Sequence, residues 1–147
     1  MIQAIGKEKI GVRISPHSEF NENFNYDEAN ATYHYIGKKL NELGIAYLHI
    51  TDHSASGEPD SLVHDLRKIF KNTIILSGGY TEEKAALAIK NNHADLISFA
   101  RAFIPNPDLV NRFQNKLPLN QPKFDLFVTP GAAGYADYPV FEESHVI

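Results

Sequence analysis

The sequence predicts an α/β fold that forms half of a TIM (β/α)₈ barrel, with four βα units and an irregular C-terminal tail. Short β-branched segments alternate with amphipathic helical segments, which indicates a parallel sheet. Turns at Ser77-Gly78-Gly79 and Ala100-Arg101 follow the last two strands, where such barrels keep phosphate-binding turns. An open doubly wound sheet is the alternative that periodicity does not separate. A dinucleotide fold, however, would carry a glycine motif after its first strand, and this chain has none there.

Composition sets the limits of the prediction. The 147 residues suffice for one domain, 1–147, in which residues 117–147 form the tail. The net charge of −4 argues against a large basic surface for nucleic acid. The absence of cysteine excludes disulfides and thiolate chemistry. No apolar stretch approaches the roughly 20 residues needed to span a bilayer, so we expect a cytoplasmic protein that binds neither nucleic acid nor membrane.

The first two βα units follow from apolar spacing. Residues 10–15 are short and β-branched and precede a proline, which predicts a strand. Residues 46–51 are predicted as the second strand and residues 62–70 as the second helix. The first helix is predicted from apolar residues at steps of four and three that end at a glycine: Ala29, Tyr33, Ile36, Leu40, Leu43 and then Gly44.

The third unit contains the clearest turn. Residues 73–77 are almost continuously apolar, as expected of a strand buried on both faces. Gly78-Gly79 ends this strand, and Thr81 is predicted to cap the following helix. Exposed backbone N–H groups at such a turn can bind a phosphate. A tight turn that requires positive φ is the simpler explanation of the glycine pair taken alone.

The fourth unit favours phosphate binding over a simple tight turn at Gly78-Gly79. Residues 96–99 are predicted as a strand, and residues 105–113 open into a short helix. Between them stands Ala100-Arg101. In a barrel a guanidinium at this place lies beside the first phosphate turn, so the two turns together favour phosphate binding.

Several other residues could carry chemistry. Arg13 stands inside an apolar strand, where an unpaired charge is costly, so either a structural salt bridge or a ligand contact is expected. His49 and His53 straddle a strand end, and no metal-binding histidine motif is present, so no metal site is predicted. Tyr135, in the glycine-rich tail, either packs as an exposed residue or lines a pocket.

Six ordered segments resemble one known family. They are residues 11–16 (GVRISP), 44–49 (GIAYLH), 77–81 (SGGYT), 99–104 (FARAFI), 106–109 (NPDL) and 134–139 (GYADYP). The chain is similar in these segments to the Old Yellow Enzyme family of NADH:flavin oxidoreductases and ene reductases. The resemblance covers nearly the whole chain but only the C-terminal half of the family's barrel. It implies FMN as the cofactor, NAD(P)H as the reductant and a small activated alkene as the substrate.

The resemblance also implies individual roles. Arg13 matches the arginine that contacts the flavin ring and ribityl region, and the family usually has glycine where this chain has Ala100. The implied cofactor-binding residues are Arg13, Ser77, Gly78, Gly79, Ala100 and Arg101, and the implied substrate-binding residues are Tyr135, Phe20 and Asn21. The family's catalytic residues lie in the N-terminal half, so the resemblance implies none in this chain.

The resemblance leaves two partners open: a complementary N-terminal half-barrel, or a second copy of this chain, because open strand edges require a partner. Residues 2–6 are typical of the last turn of a helix with its glycine cap, which suggests a truncated chain or a part supplied by another polypeptide. The alternative functions are a non-catalytic phosphate- or FMN-binding half-barrel that self-associates, and an inactive fragment.

Overall fold

The structure, a computed structural model, describes residues 1–16, 27–51, 61–127 and 129–142. Within it the chain forms two compact units, Met1–Ser98 (unit 1) and Phe99–Ile147 (unit 2). The strands of unit 1 are β1 Gly11–Ile14, β2 Tyr47–Thr51, β3 Thr73–Ser77 and β4 Leu96–Ile97. Its helices are α1 Ile2–Ile5, α2 Ala29–Leu43, α3 Ser61–Ile69 and α4 Glu82–Lys90.

The four strands of unit 1 form one parallel sheet in the order β1-β2-β3-β4. A doubly wound sheet reverses its strand order at a switch point, whereas consecutive strands of a barrel lie side by side. The sequential order therefore supports the barrel prediction over the open-sheet alternative. β4 is shorter than predicted, because only Leu96 and Ile97 pair in register with β3.

The two faces of this sheet differ in burial. Alternate side chains of the central strands are fully buried against the helices; these are Leu48, Ile50, Ile74 and Leu76. The opposite side, which we call the open face, carries Arg13, Tyr47, His49, Thr51, Ile75, Ser77 and Leu96. Ile75 and Ser77 are only half-buried. The prediction that β3 is buried on both faces is therefore wrong within the described residues, where only Ile74 and Leu76 of this strand are buried.

Local signals fix the helix ends as predicted. Gly44 adopts a left-handed conformation with φ 64°, which ends α2 and returns the chain toward β2. The Thr81 side chain accepts a hydrogen bond from the Lys84 amide at 3.3 Å, which confirms the predicted cap of α4. Gly37, inside α2, allows α3 to pack closely, since a Cβ there would lie 2.6 Å from a methyl carbon of Leu66.

Polar side chains hold the amino-terminal end of the sheet together. The Asp95 carboxylate accepts the Ile74 amide at 2.7 Å and the Arg67 guanidinium at 2.6 Å. The amide side chain of Asn72 donates to the Ile45 carbonyl at 2.7 Å. Burial alone would raise the pKa of Asp95. The hydrogen bonds from the Ile74 amide and from Arg67 outweigh this effect and lower the pKa. This end of the sheet therefore satisfies its polar groups within unit 1.

Unit 2 contains α5 (Leu109–Asn115) and a 3-10 turn at Phe124–Leu126. Arg112 of α5 is buried and donates to Asp108 at 2.7 Å, to the Pro118 carbonyl at 2.5 Å and to the Pro139 carbonyl at 3.1 Å. These bonds tie two separate points of the tail to one helix. In its described residues the tail is irregular apart from the 3-10 turn, and Arg112 ties it to α5. In the described part of the chain no helix has the length and apolar character needed to cross a membrane.

Candidate flavin-binding site

Polar side chains collect at the carboxyl-terminal end of the open face in unit 1. The carboxyl ends of parallel strands meet at one edge of a sheet, and in barrels this edge carries the functional residues. Here that edge contributes Ser15 after β1, Thr51 at the end of β2 and Ser77 at the end of β3. Arg13 and His49, which are paired in the strand register, lie on the same face next to them.

Arg13 is bound to one hydroxyl group, that of Thr51. Its Nη2 donates to Thr51 Oγ1 at 3.0 Å, and Ser15 Oγ lies 3.3 Å from the same oxygen. The Arg13 side chain is exposed on the open face. Among the residues that the structure describes, no carboxylate forms an ion pair with Arg13, so the salt-bridge alternative has no support there. A guanidinium is a suitable group for binding an anionic ligand.

His49 pairs with the first residue of the predicted phosphate turn. Its Nε2 lies 3.1 Å from Ser77 Oγ. Burial and then the nearby charge of Arg13 lower the pKa of His49 and so favour the neutral ring. Its neighbour in the sequence prediction, His53, lies outside the described residues. In the ranges that the structure describes, no three histidine, aspartate or glutamate side chains gather as metal ligands would.

Both glycines of the Gly78-Gly79 turn have positive φ, as the tight-turn explanation of this pair requires. Gly78 has φ 132° and Gly79 has φ 88°, values that side-chain-bearing residues rarely adopt. A Cβ built on Gly79 meets no atom within 4 Å, so there is open space beside this residue. Glu82 and Glu83 already occupy the first turn of α4. An anion at this place would therefore depend on the N–H groups of the turn more than on the helix dipole.

The second predicted phosphate turn lies in unit 2. The Ala100 carbonyl accepts the amides of Phe103 at 3.0 Å and Ile104 at 3.1 Å, which closes a turn around Arg101. Both Ala100 and Arg101 are exposed. Ala100 is not among the described residues with positive φ, so its methyl group causes no backbone strain. The use of this turn for phosphate stays a prediction from the sequence.

Of the three predicted substrate-binding residues, the structure describes only Tyr135. Its side chain is 48% exposed, and its hydroxyl donates to the Phe127 carbonyl within unit 2. The ring is thus presented to solvent while its hydroxyl is held internally. Phe20 and Asn21 lie outside the described residues. Their roles, and that of Tyr135, stay predictions.

Sequence reasoning missed Thr51 and assigned His49 no role beyond an improbable metal site. The signal that could have found them is the two-residue period of β2, which places His49 and Thr51 on one face. The pattern within β2 does not reveal that Arg13 of β1 lies on the same face of the sheet.

Three comparisons bear on this arrangement. A tomato 12-oxophytodienoate reductase-like protein is 41% identical over 139 residues, covering 94% of this chain and 38% of that protein. A probable flavin mononucleotide-dependent alkene reductase of Leishmania infantum is 35% identical, covering 95% of this chain and 38% of that protein. The structure of morphinone reductase in complex with tetrahydroNAD superposes with a TM-score of 0.87 at 33% identity, covering 98% of this chain and 39% of that one.

The chain thus spans about two fifths of the length of the relatives it matches. This agrees with the parallel, sequentially ordered strands of half a barrel and confirms the resemblance inferred from the six segments. The profile of the NADH:flavin oxidoreductase / NADH oxidase family matches residues 1–120, and the chain therefore belongs to that family.

Proposed function

We propose that this chain supplies the FMN-binding half of an NAD(P)H-dependent oxidoreductase that reduces small activated alkenes. The family membership supports a flavin cofactor. The names of two relatives support alkene reduction and FMN, and the tetrahydroNAD complex of morphinone reductase supports a nicotinamide reductant. We propose a cytoplasmic location, on the basis of composition alone.

The observation that carries the proposal is the carboxyl-terminal edge of the open face. Arg13 presents a cation held by a hydroxyl, and Gly78-Gly79 presents a turn with free space beside it. An anionic ring system and a phosphate are the two features of FMN that such groups would recognise. The residues of unit 1 therefore fit the cofactor.

Each matching residue then has a defined task. FMN, when bound, supplies the hydride chemistry. Arg13 would hold the flavin ring and favour negative charge on it, while Ser77, Gly78 and Gly79 would bind the phosphate through backbone N–H groups. Ala100 and Arg101 of unit 2 would bind phosphate through a second turn. Tyr135, Phe20 and Asn21 would border the substrate, and this chain would contribute no catalytic proton donor.

The partner we propose is a complementary half-barrel. β1 and β4 each pair on one side only within the described sheet, so both edges are open to further strands. A second copy of the chain could also close eight strands, which is the alternative function: a self-associated half-barrel that binds phosphate or FMN without turnover. Two copies would bring two Arg13 side chains onto one interior. The described part of the open face carries no carboxylate to neutralise them, which favours a different partner.

A flavin titration tests the proposal. FMN should bind the purified chain, alone or with its partner half, and give the absorbance band of bound flavin. Arg101→Ala should weaken FMN about tenfold, because a guanidinium–phosphate contact is lost, and should leave riboflavin unaffected. Lys90→Ala, which removes another exposed cation, is the matched control. Equal FMN affinity of Arg101→Ala and wild type would contradict the phosphate assignment, and a dimer on a sizing column would favour the alternative function.

A further inference from the structure

We propose that β2, which supplies none of the assigned cofactor contacts, positions those of both neighbouring strands: Thr51 holds Arg13 of β1, and His49 holds Ser77 of β3. This inference rests on the proposed function. It assigns positioning roles to two residues that touch no predicted ligand atom themselves.

The two contacts repeat one geometry across adjacent strand pairs. Arg13 lies opposite His49 in register, but its guanidinium reaches Thr51, two residues further along β2. Thr51 lies opposite Ser77 in register, while Ser77 is reached by His49, two residues back along β2. Both bonds are therefore diagonal cross-strand pairs on the open face, within the reach of long side chains. β2 is the strand common to both.

Thr51 is suited to hold an arginine. Its side chain is on the open face, yet the residue is only 9% exposed, which limits the rotamers that this β-branched side chain can adopt. Arg13 can only donate hydrogen bonds, so Thr51 Oγ1 is the acceptor at 3.0 Å. Ser15 Oγ approaches the same oxygen at 3.3 Å. An arginine with many rotamers is thereby restricted before any ligand arrives, which lowers the entropy cost of binding.

His49 is suited to hold the start of the glycine turn. Ser77 is the last residue of β3, and the two glycines that follow have wide conformational freedom. The hydrogen bond of 3.1 Å between Ser77 Oγ and His49 Nε2 limits the conformational freedom of the turn at its first residue. Among the described residues, Arg13 of β1 is the charged group that acts on His49. The described open-face residues of β3 and β4, among them Ile75 and Leu96, are uncharged.

Two flavins separate the two roles, because riboflavin lacks the phosphate that FMN carries. Thr51→Val keeps the side-chain shape but removes the acceptor for Arg13, so it should weaken FMN and riboflavin by the same factor, about fivefold. Thr51→Ser restores the hydroxyl and should restore both affinities. Thr73→Val, on the same face at the other end of β3, is the control and should change neither.

His49→Phe should weaken FMN about fivefold and leave riboflavin unchanged, because Ser77 adjoins the phosphate turn and not the ring site. His49→Gln, which can still bond to Ser77 Oγ, should recover most of the FMN affinity. A general structural role would lower the affinities of both flavins equally in both variants. That result, or unchanged affinities in Thr51→Val and His49→Phe, would overturn the inference.

A measurement without flavin decides the same question independently. In the wild-type chain, NMR titration should find the pKa of the His49 ring below its ordinary value. Thr51→Val releases Arg13 and should raise that pKa, and Ser77→Ala should shift the Nε2 resonance of His49. Failure of the wild type to bind FMN would contradict the proposed function alone. An unchanged His49 pKa in Thr51→Val together with an unchanged Nε2 resonance in Ser77→Ala would contradict the positioning roles alone.

Discussion

The two ends of the sheet in unit 1 use polar side chains differently. At the amino-terminal end, Asp95 accepts a backbone amide and a guanidinium, and Asn72 donates to a backbone carbonyl. At the carboxyl-terminal end, Arg13 has a hydroxyl as its partner, and Gly79 adjoins open space. Among the described residues, the amino-terminal end pairs its polar side chains internally, whereas the carboxyl-terminal end presents the Arg13 guanidinium and the space beside Gly79.

The same difference is found in (β/α)₈ barrels, where residues at the amino-terminal ends of the strands contribute to stability and residues at the carboxyl-terminal ends contribute to function. It implies that the two properties can be altered separately. A substitution at the amino-terminal end should change the free energy of unfolding and leave flavin affinity alone. A substitution at the carboxyl-terminal end should change flavin affinity and have a smaller effect on stability.

The largest effect is expected at the amino-terminal end. Asp95→Ala leaves the amide of the fully buried Ile74 without its acceptor and breaks the bond to Arg67, so the free energy of unfolding should fall by about 2 kcal/mol. Urea unfolding measures this change. Asp95→Asn keeps an oxygen acceptor and should lose about half as much. If Asp95→Asn reduced the free energy of flavin binding by more than it reduced the free energy of unfolding, the two ends would not have separate roles.

The next effect is expected at the glycine turn. Gly79→Ala places a methyl group at φ 88°, which should cost about 1 kcal/mol of stability even though no atom lies near the added carbon. The same methyl group should occupy the space that a phosphate would approach, so FMN affinity should fall while riboflavin affinity stays. Thermal unfolding and the two titrations give the three values. An unchanged FMN affinity would contradict the proposal that the phosphate binds at this turn.

A smaller effect concerns pH. The pKa of His49 is lowered in the folded chain, so the unfolded chain takes up the proton first as pH falls. The stabilising contribution is complete above the ordinary histidine pKa, roughly 6.5, and is lost as pH falls from there through the lower folded pKa. Urea midpoints should therefore decline as pH falls below roughly 6.5, and less so in His49→Gln. If the urea midpoints of the wild type and of His49→Gln declined equally, His49 would not be the cause of the pH dependence.

The smallest effect extends the comparison to the turn of unit 2. Ala100→Gly removes the methyl group that distinguishes this chain from the family's usual glycine, so FMN affinity should rise about twofold through closer backbone approach. Stability should drop by about 0.5 kcal/mol, because Ala100 has no positive φ for glycine to relieve. A rise in riboflavin affinity of the same size would show that the effect does not involve phosphate.

Much of the fold could be predicted because its signals are local. The apolar steps of α2 and the glycine after it gave its limits, and the Thr81 cap marked the start of α4. β4 was predicted too long, because its end depends on pairing with β3. The alternatives for Arg13 could not be resolved from the sequence, since its hydrogen-bond partner stands 38 residues away.

The sequence by itself determined where most helices and strands lie, that Gly78 and Gly79 form the turn after β3, and which family the six segments resemble. These properties depend on spacing along the chain and on the conformational range of single residues. Only the tertiary structure decided which face of the sheet is open, that Thr51 meets Arg13, and that His49 meets Ser77. Cross-strand contacts depend on register, and register is set by the packing of all four strands against their helices.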